Sequence, residues 1–166
     1  MQVISDPKSV RSAELTGDLG SVLTIGAYDG VHLGHRAVIG EVRRIAEARG
    51  VKSAVVTFDR HPASVVRPES APKLLTSLDQ KLELLETTGV DIVVVVPFDH
   101  ERATESAESF VMSVMVECLG VKAVVVGSDF HFGKDRRGNI DLLTAMGGEE
   151  GFDVLSMALI GGAGGA

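Results

Sequence analysis

Three glycines and two histidines are packed into Gly26-Ala27-Tyr28-Asp29-Gly30-Val31-His32-Leu33-Gly34-His35. The stretch follows the apolar run Ser21 to Ile25 and leads into a segment of helical periodicity, so it occupies the turn between a strand and a helix start. Such a turn is suited to phosphates. A helix N-terminus leaves backbone N–H groups unpaired and carries about half a positive charge from the macrodipole, which together favour an anion. Glycines let the backbone approach that anion closely. His32 and His35 add side-chain donors that titrate near neutrality, and Gly34 leaves no bulk between them. The motif is neither a Walker loop nor a dinucleotide Gly-x-Gly-x-x-Gly, because Gly26, Gly30 and Gly34 are spaced by four. Two imidazoles beside a polyphosphate suit an in-line attack on the α-phosphorus, where charge builds on the bridging oxygen as pyrophosphate leaves. Asp29, His32 and His35 also have the ligand types for zinc, but all three come from one tight turn without a compelling distant partner, and metal ligands are left unassigned.

A second dense stretch follows the run Ala123 to Val126: Gly127-Ser128-Asp129-Phe130-His131-Phe132-Gly133-Lys134-Asp135-Arg136-Arg137-Gly138. His131, Lys134, Arg136 and Arg137 cluster here in an otherwise acidic chain. A merely solvated loop would not need the phenylalanines and glycines interleaved with these charges.

Alternating strands and helices must position both stretches. The pattern predicts strands at Ser21 to Ile25, Ser53 to Phe58, Asp91 to Val96, Ala123 to Val126 and Phe152 to Ile160. Helices are predicted over Arg36 to Arg49, from Leu78 to the stop at Gly89, over Ser106 to Leu119 and over Asn139 to Met146. Ser77 and Gln80 form a capping box, and Leu78, Leu82 and Leu85 mark the buried face behind it. Val3-Ile4 suggests a short strand, residues 63–76 a loop, and residues 161–166 a flexible Gly/Ala tail after one domain spanning 1–160. Strands alternating with helices give an α/β fold, an open parallel sheet with helices on both faces. Every loop that follows a strand then opens on one edge, where ligands bind in such sheets. The glycine-histidine turn, Asp59 to Pro62, Pro97 to Arg102 and the basic-aromatic loop are all loops of this kind, so they converge on one crevice.

Composition narrows the partners. The chain has 166 residues, 45% of them hydrophobic, which is enough for a substantial core. Its 16 basic against 23 acidic residues give a net charge of −7, which argues against nucleic-acid or membrane-surface binding, so any anion site is local. The single cysteine, Cys118, falls on an apolar helix face and reads as a core residue. No apolar run reaches transmembrane length and Met1 to Arg11 has no signal-peptide core, so a cytoplasmic location is expected.

The Gly26 to His35 stretch resembles the His-x-Gly-His signature of the nucleotidylyltransferase superfamily, specifically the FMN adenylyltransferase (FAD synthetase) module of bacterial bifunctional riboflavin kinase/FMN adenylyltransferases. Thr57-Phe58-Asp59-Arg60-His61-Pro62, Pro72 to Thr76, Lys81 to Leu85, Gly89-Val90-Asp91, Pro97-Phe98-Asp99, Val125 to Gly133 and Gly151-Phe152 follow the family pattern in order. The resemblance covers about residues 20–160 and implies a Rossmann-like fold and the reaction of ATP with FMN to give FAD and pyrophosphate, with Mg²⁺ on the phosphates. Carried over position by position, it implies that His32 and His35 stabilise the triphosphate and the transition state. Gly26, Asp29, Gly30, Gly34 and Gly127 would line the nucleotide site. Phe58, His61, Pro62, Asp129, Phe130 and Arg137 would border FMN, and Lys134, Arg136 and Arg137 would form an anion-attracting flap.

Two departures stand out. The family's usual Gly-Asn-Phe-Asp is Gly-Ala-Tyr-Asp here, which removes a polar side chain at Ala27. The family also carries Ser-Ser-Thr-x-Ile-Arg after its last strand, contacting the ATP phosphates, where residues 161–166 read Gly-Gly-Ala-Gly-Gly-Ala. Nor do these residues contain a counterpart of the family's riboflavin kinase β-barrel, so riboflavin phosphorylation is not expected of them. Two functions follow: an FMN adenylyltransferase, weakened by the lost phosphate contacts, or a non-catalytic nucleotide- or flavin-binding module.

Overall fold

Short runs of valine and isoleucine build the centre of the molecule. In the computed structural model, which describes residues 1–5, 15–26, 33–59, 77–97, 104–127 and 138–157, six strands form one sheet. In chain order they are β1 (Gln2–Ile4), β2 (Ser21–Ile25), β3 (Lys52–Phe58), β4 (Ile92–Val96), β5 (Val121–Gly127) and β6 (Asp153–Met157). The helices are α1 (Leu33–Arg49), α2 (Leu78–Glu86), α3 (Ala107–Phe110, continuing as a π-helix over Val111–Cys118) and α4 (Ile140–Glu150). The spatial order is β1-β4-β3-β2-β5-β6, and every neighbouring pair is parallel. Two-sided burial explains why β2 and β4 are buried at every position, as expected of a parallel sheet covered by helices.

Alternation sends successive residues to opposite faces. Val22, Ala123 and Val125 meet Val38, Val42 and Ile45 of α1, while Val55, Val93 and Val95 meet Ile39 of α1 and Leu85 of α2. The next residues along each strand, Leu23, Val56, Val94 and Val124 among them, pack on the other face with Phe110, Val114 and Met115 of α3 and its π-helical continuation and with Leu143 and Met146 of α4. The α/β architecture with helices on both faces is therefore as expected.

Local chemistry closes the elements as the sequence indicates. Ser77 accepts from the Gln80 N–H while the Gln80 side chain accepts from the Ser77 N–H, completing the capping box at α2. Gly20 has the most demanding backbone. Its φ of 78° and ψ of −150° lie where only glycine is at ease, and a Cβ there would sit 2.3 Å from the Gly120 carbonyl oxygen. Gly20→Ala is accordingly expected to destabilise the fold by about 2–4 kcal/mol, read by urea or thermal unfolding. A loss within error would show that the entry to β2 relaxes without cost.

Several boundaries differ from the sequence expectation. Helix α1 begins at Leu33, three residues before Arg36, and α4 runs on to Glu150 because it ends at Gly151 in the left-handed region (φ 85°) rather than at Met146. Strand β6 is described over Asp153–Met157, and residues 158–166 lie outside the described residues. The segment expected as one α-helix over Ser106 to Leu119 changes to π-helical turns at Val111. Its buried Val111, Val114, Met115 and Cys118 keep the three- and four-residue spacing of an α-helical stripe, so apolar periodicity does not distinguish the two. Cys118 is fully buried, as a core residue should be.

Candidate active site

The chain leaves β2 through α1 to β3, adjacent on one side, and later crosses back to β5 on the other side. The carboxyl ends of β2 and β5 therefore flank a topological switch point, the position at which open α/β sheets bind ligands. Four strand ends lie along this edge: Gly26 after β2, Asp59 after β3, Pro97 after β4 and Gly127 closing β5.

The stem of the glycine-histidine turn is fixed from the sheet. The Gly26 N–H donates to the Val56 carbonyl at 3.0 Å, so the chain keeps its pairing with β3 one residue past β2. It resumes as α1, whose first turn carries Gly34 and His35 and no acidic residue that would compete with an anion for the helix N-terminus. His35 is half-buried, and Arg36 beside it is exposed and reaches Thr87 Oγ1 at 3.4 Å. Further along α1, Arg44 pairs with Glu41 and holds that carboxyl below its usual range, first through their hydrogen bond. Both are surface groups, so the pair adds little.

At the β3 end the Asp59 N–H donates to the Val96 carbonyl at 3.2 Å, tying the exits of β3 and β4 together. Phe58 is 8% exposed, its ring 6.2 Å from that of Phe110 in the main core cluster. Below it, on the opposite face, lies a residue that sequence reasoning gave no role. Lys81 of α2 is 5% exposed, and its Nζ donates to the Phe58 carbonyl at 2.9 Å and to Thr57 Oγ1 at 3.3 Å. The signal was available: Lys81 stands at i+3 in the stripe Leu78, Leu82, Leu85, a charged residue at an inward-facing position.

Of the expected site residues, Gly26, Gly34, His35, Phe58 and Gly127 thus fall on the stems along one sheet edge. Asp29, Gly30, His32, His61, Pro62, Asp129, Phe130 and Arg137, with Lys134 and Arg136 of the basic loop, lie outside the described residues. The segments that hold them, 27–32, 60–76 and 128–137, follow β2, β3 and β5 in the chain. Among the described residues no three metal-ligating side chains converge, and no helix is long and apolar enough to cross a membrane.

Comparison with known proteins agrees with this geometry. The family model for FAD synthetase matches residues 16–164. Among curated proteins, the chain is similar to bifunctional riboflavin kinase/FMN adenylyltransferases. Identity is 41% over 137 residues with that of Escherichia coli K12, covering 82% of this chain and 44% of the relative. It is 42% over 135 residues with that of Pseudomonas fluorescens, covering 81% and 43%. The chain thus spans less than half the length of the relatives it matches. Among solved structures, one described as a macrolide-efflux protein from Streptococcus pneumoniae superposes with a TM-score of 0.73 over 95% of this chain and 51% of the other, at 19% identity, a likeness of fold alone.

Proposed function

This chain belongs to the FAD synthetase family, and on that premise we propose that it is an FMN adenylyltransferase, moving AMP from ATP to FMN. A phosphate oxygen of FMN attacks the α-phosphorus of ATP, a new P–O bond joins the two nucleotides, and the bond to the bridging oxygen breaks to release pyrophosphate. The protein contributes position and electrostatics and needs no covalent intermediate. The observation that carries the reading is the placement of Gly26, the α1 N-terminus with His35, and Gly127 at the switch point of the sheet.

In this reading the N–H groups at the start of α1 and the imidazoles of His32 and His35 face the triphosphate and offset the charge that grows on the departing pyrophosphate. Asp29 and Gly30 shape the turn, and Gly34 keeps the space between the imidazoles open. ATP is taken as its Mg²⁺ complex, in keeping with the preference of that ion for phosphate oxygens and few protein carboxylates. FMN lies against the exits of β3 and β5, bordered by His61, Pro62, Asp129, Phe130 and Arg137, with Phe58 supporting that wall. The acidic charge balance and single cysteine support a cytoplasmic enzyme without nucleic-acid or membrane partners.

Incubating the purified chain with FMN, ATP and Mg²⁺ is expected to yield FAD and pyrophosphate in equal amounts, followed by chromatography. Binding of FMN or ATP without FAD would overturn the enzyme reading in favour of a non-catalytic nucleotide- or flavin-binding module.

A further inference from the structure

Lys81 is an expensive choice for its position. The inner stripe of α2 otherwise presents leucines to the core, and Leu85 beside it is fully buried. Taking an ammonium group out of water is costly, and a well-packed apolar residue of similar volume is often equal or better for stability. What the lysine supplies that a leucine or methionine would not is a pair of hydrogen bonds at one place. Its Nζ reaches the Phe58 carbonyl at 2.9 Å and Thr57 Oγ1 at 3.3 Å, the last two residues of β3. Bonds from a charged donor in a low-dielectric setting are the stronger kind. The helix that carries Lys81 is itself locked at its start by the Ser77–Gln80 capping box, so the anchor does not slide. On the far side, the Asp59 N–H is held by Val96 at 3.2 Å. The point at which the chain leaves β3 is therefore fixed from both α2 and β4.

We propose that Lys81 is a positioning residue for adenylyl transfer: it clamps the exit of β3 by holding Thr57 and Phe58 in place just before Asp59. The proposal rests on the adenylyltransferase reading for its kinetic consequence but not for the clamp itself. His61 and Pro62, assigned to the flavin side, come directly after that exit, so a loosened exit displaces FMN more than ATP. Displacements of about 1 Å from residues remote from the reacting atoms can lower rates by about 10²-fold.

The test compares the wild type with Lys81→Met, which keeps the apolar stem and removes the donors, and Lys81→Arg, which restores a charged donor. Three readouts are needed: amide hydrogen exchange at Asp59, the thermal midpoint, and kcat and KM for each substrate. For Lys81→Met the expected result is faster exchange at Asp59 by about tenfold with a cooperative melt retained. In the same variant kcat/KM for FMN is expected to fall by about tenfold or more, KM for ATP staying within about threefold, and Lys81→Arg to recover part of the loss. Unchanged exchange at Asp59 overturns the clamp. A fall in kcat that merely tracks the folded fraction, equal for both substrates, overturns the positioning role. A wild type that forms no FAD would instead defeat the adenylyltransferase reading and with it the kinetic role, while the exchange measurement, which needs no turnover, still decides the clamp.

Discussion

Replacing His35 with alanine is expected to lower kcat for FAD formation by about 10²- to 10³-fold, the cost typical of removing one preorganised donor from a developing charge. KM for FMN should change little, because the proposed role of the imidazole is at the departing pyrophosphate and not at the flavin. The substitution is mild for the fold. His35 lies half-buried on the first turn of a 17-residue helix, and alanine is the better helix former. A kinetic loss therefore cannot be blamed on α1 unravelling, and circular dichroism together with the thermal midpoint would document that. Measured kcat and KM for each substrate decide the matter: a fall in kcat with KM unchanged is the signature of an interaction made in the transition state. Turnover within about threefold of the wild type would remove the His35 imidazole from the reaction. His32→Ala is expected to behave alike, since the two imidazoles were assigned to the same phosphates.

Much of this placement was legible before any coordinates. Val93 to Val96 and Val124 to Val126 are β-branched runs too short for helices, which reads as buried parallel strand, and burial on both faces is why no alternation of polar residues betrays them. Helix ends were legible where a glycine or a capping side chain marks them, as at Ser77, Asn139 and Gly50. The start of α1 at Leu33 was not legible, because its apolar periodicity becomes regular only after His35. The π-helical turns after Phe110 share their apolar spacing with an ordinary helix, so the periodicity does not reveal them. At the site, the glycine spacing pointed to the end of β2, where Gly26 lies, while Asp29, Gly30 and His32 fall outside the described residues. Lys81 escaped because the helical stripe was read from its leucines alone, and a charged residue at an inward position gained meaning only once its acceptors on β3 were known.

Phe58 brings the fold and the site together, and Phe58→Ala should have the largest effect on stability. The resemblance sets Phe58 beside the flavin, whereas its 8% exposure leaves little more than an edge of the ring available to any ligand. Most of the ring is spent on the core, tilted 42° against Phe110 among Val56, Val96 and Val126. Truncating a buried phenylalanine costs about 3–5 kcal/mol through lost burial and the cavity left behind, and in a domain of this size that lowers the thermal midpoint by roughly 10 °C. Phe58→Leu, which refills most of the volume, should recover more than half of the loss. FMN affinity, measured well below the midpoint, is expected to weaken by only about threefold, because the buried ring offers a ligand little contact of its own. The opposite pattern, an intact midpoint with FMN binding lowered by about a hundredfold, would mean that the ring stacks on the flavin and is not held by Phe110. The two outcomes separate a residue that carries the site from one that touches its ligand.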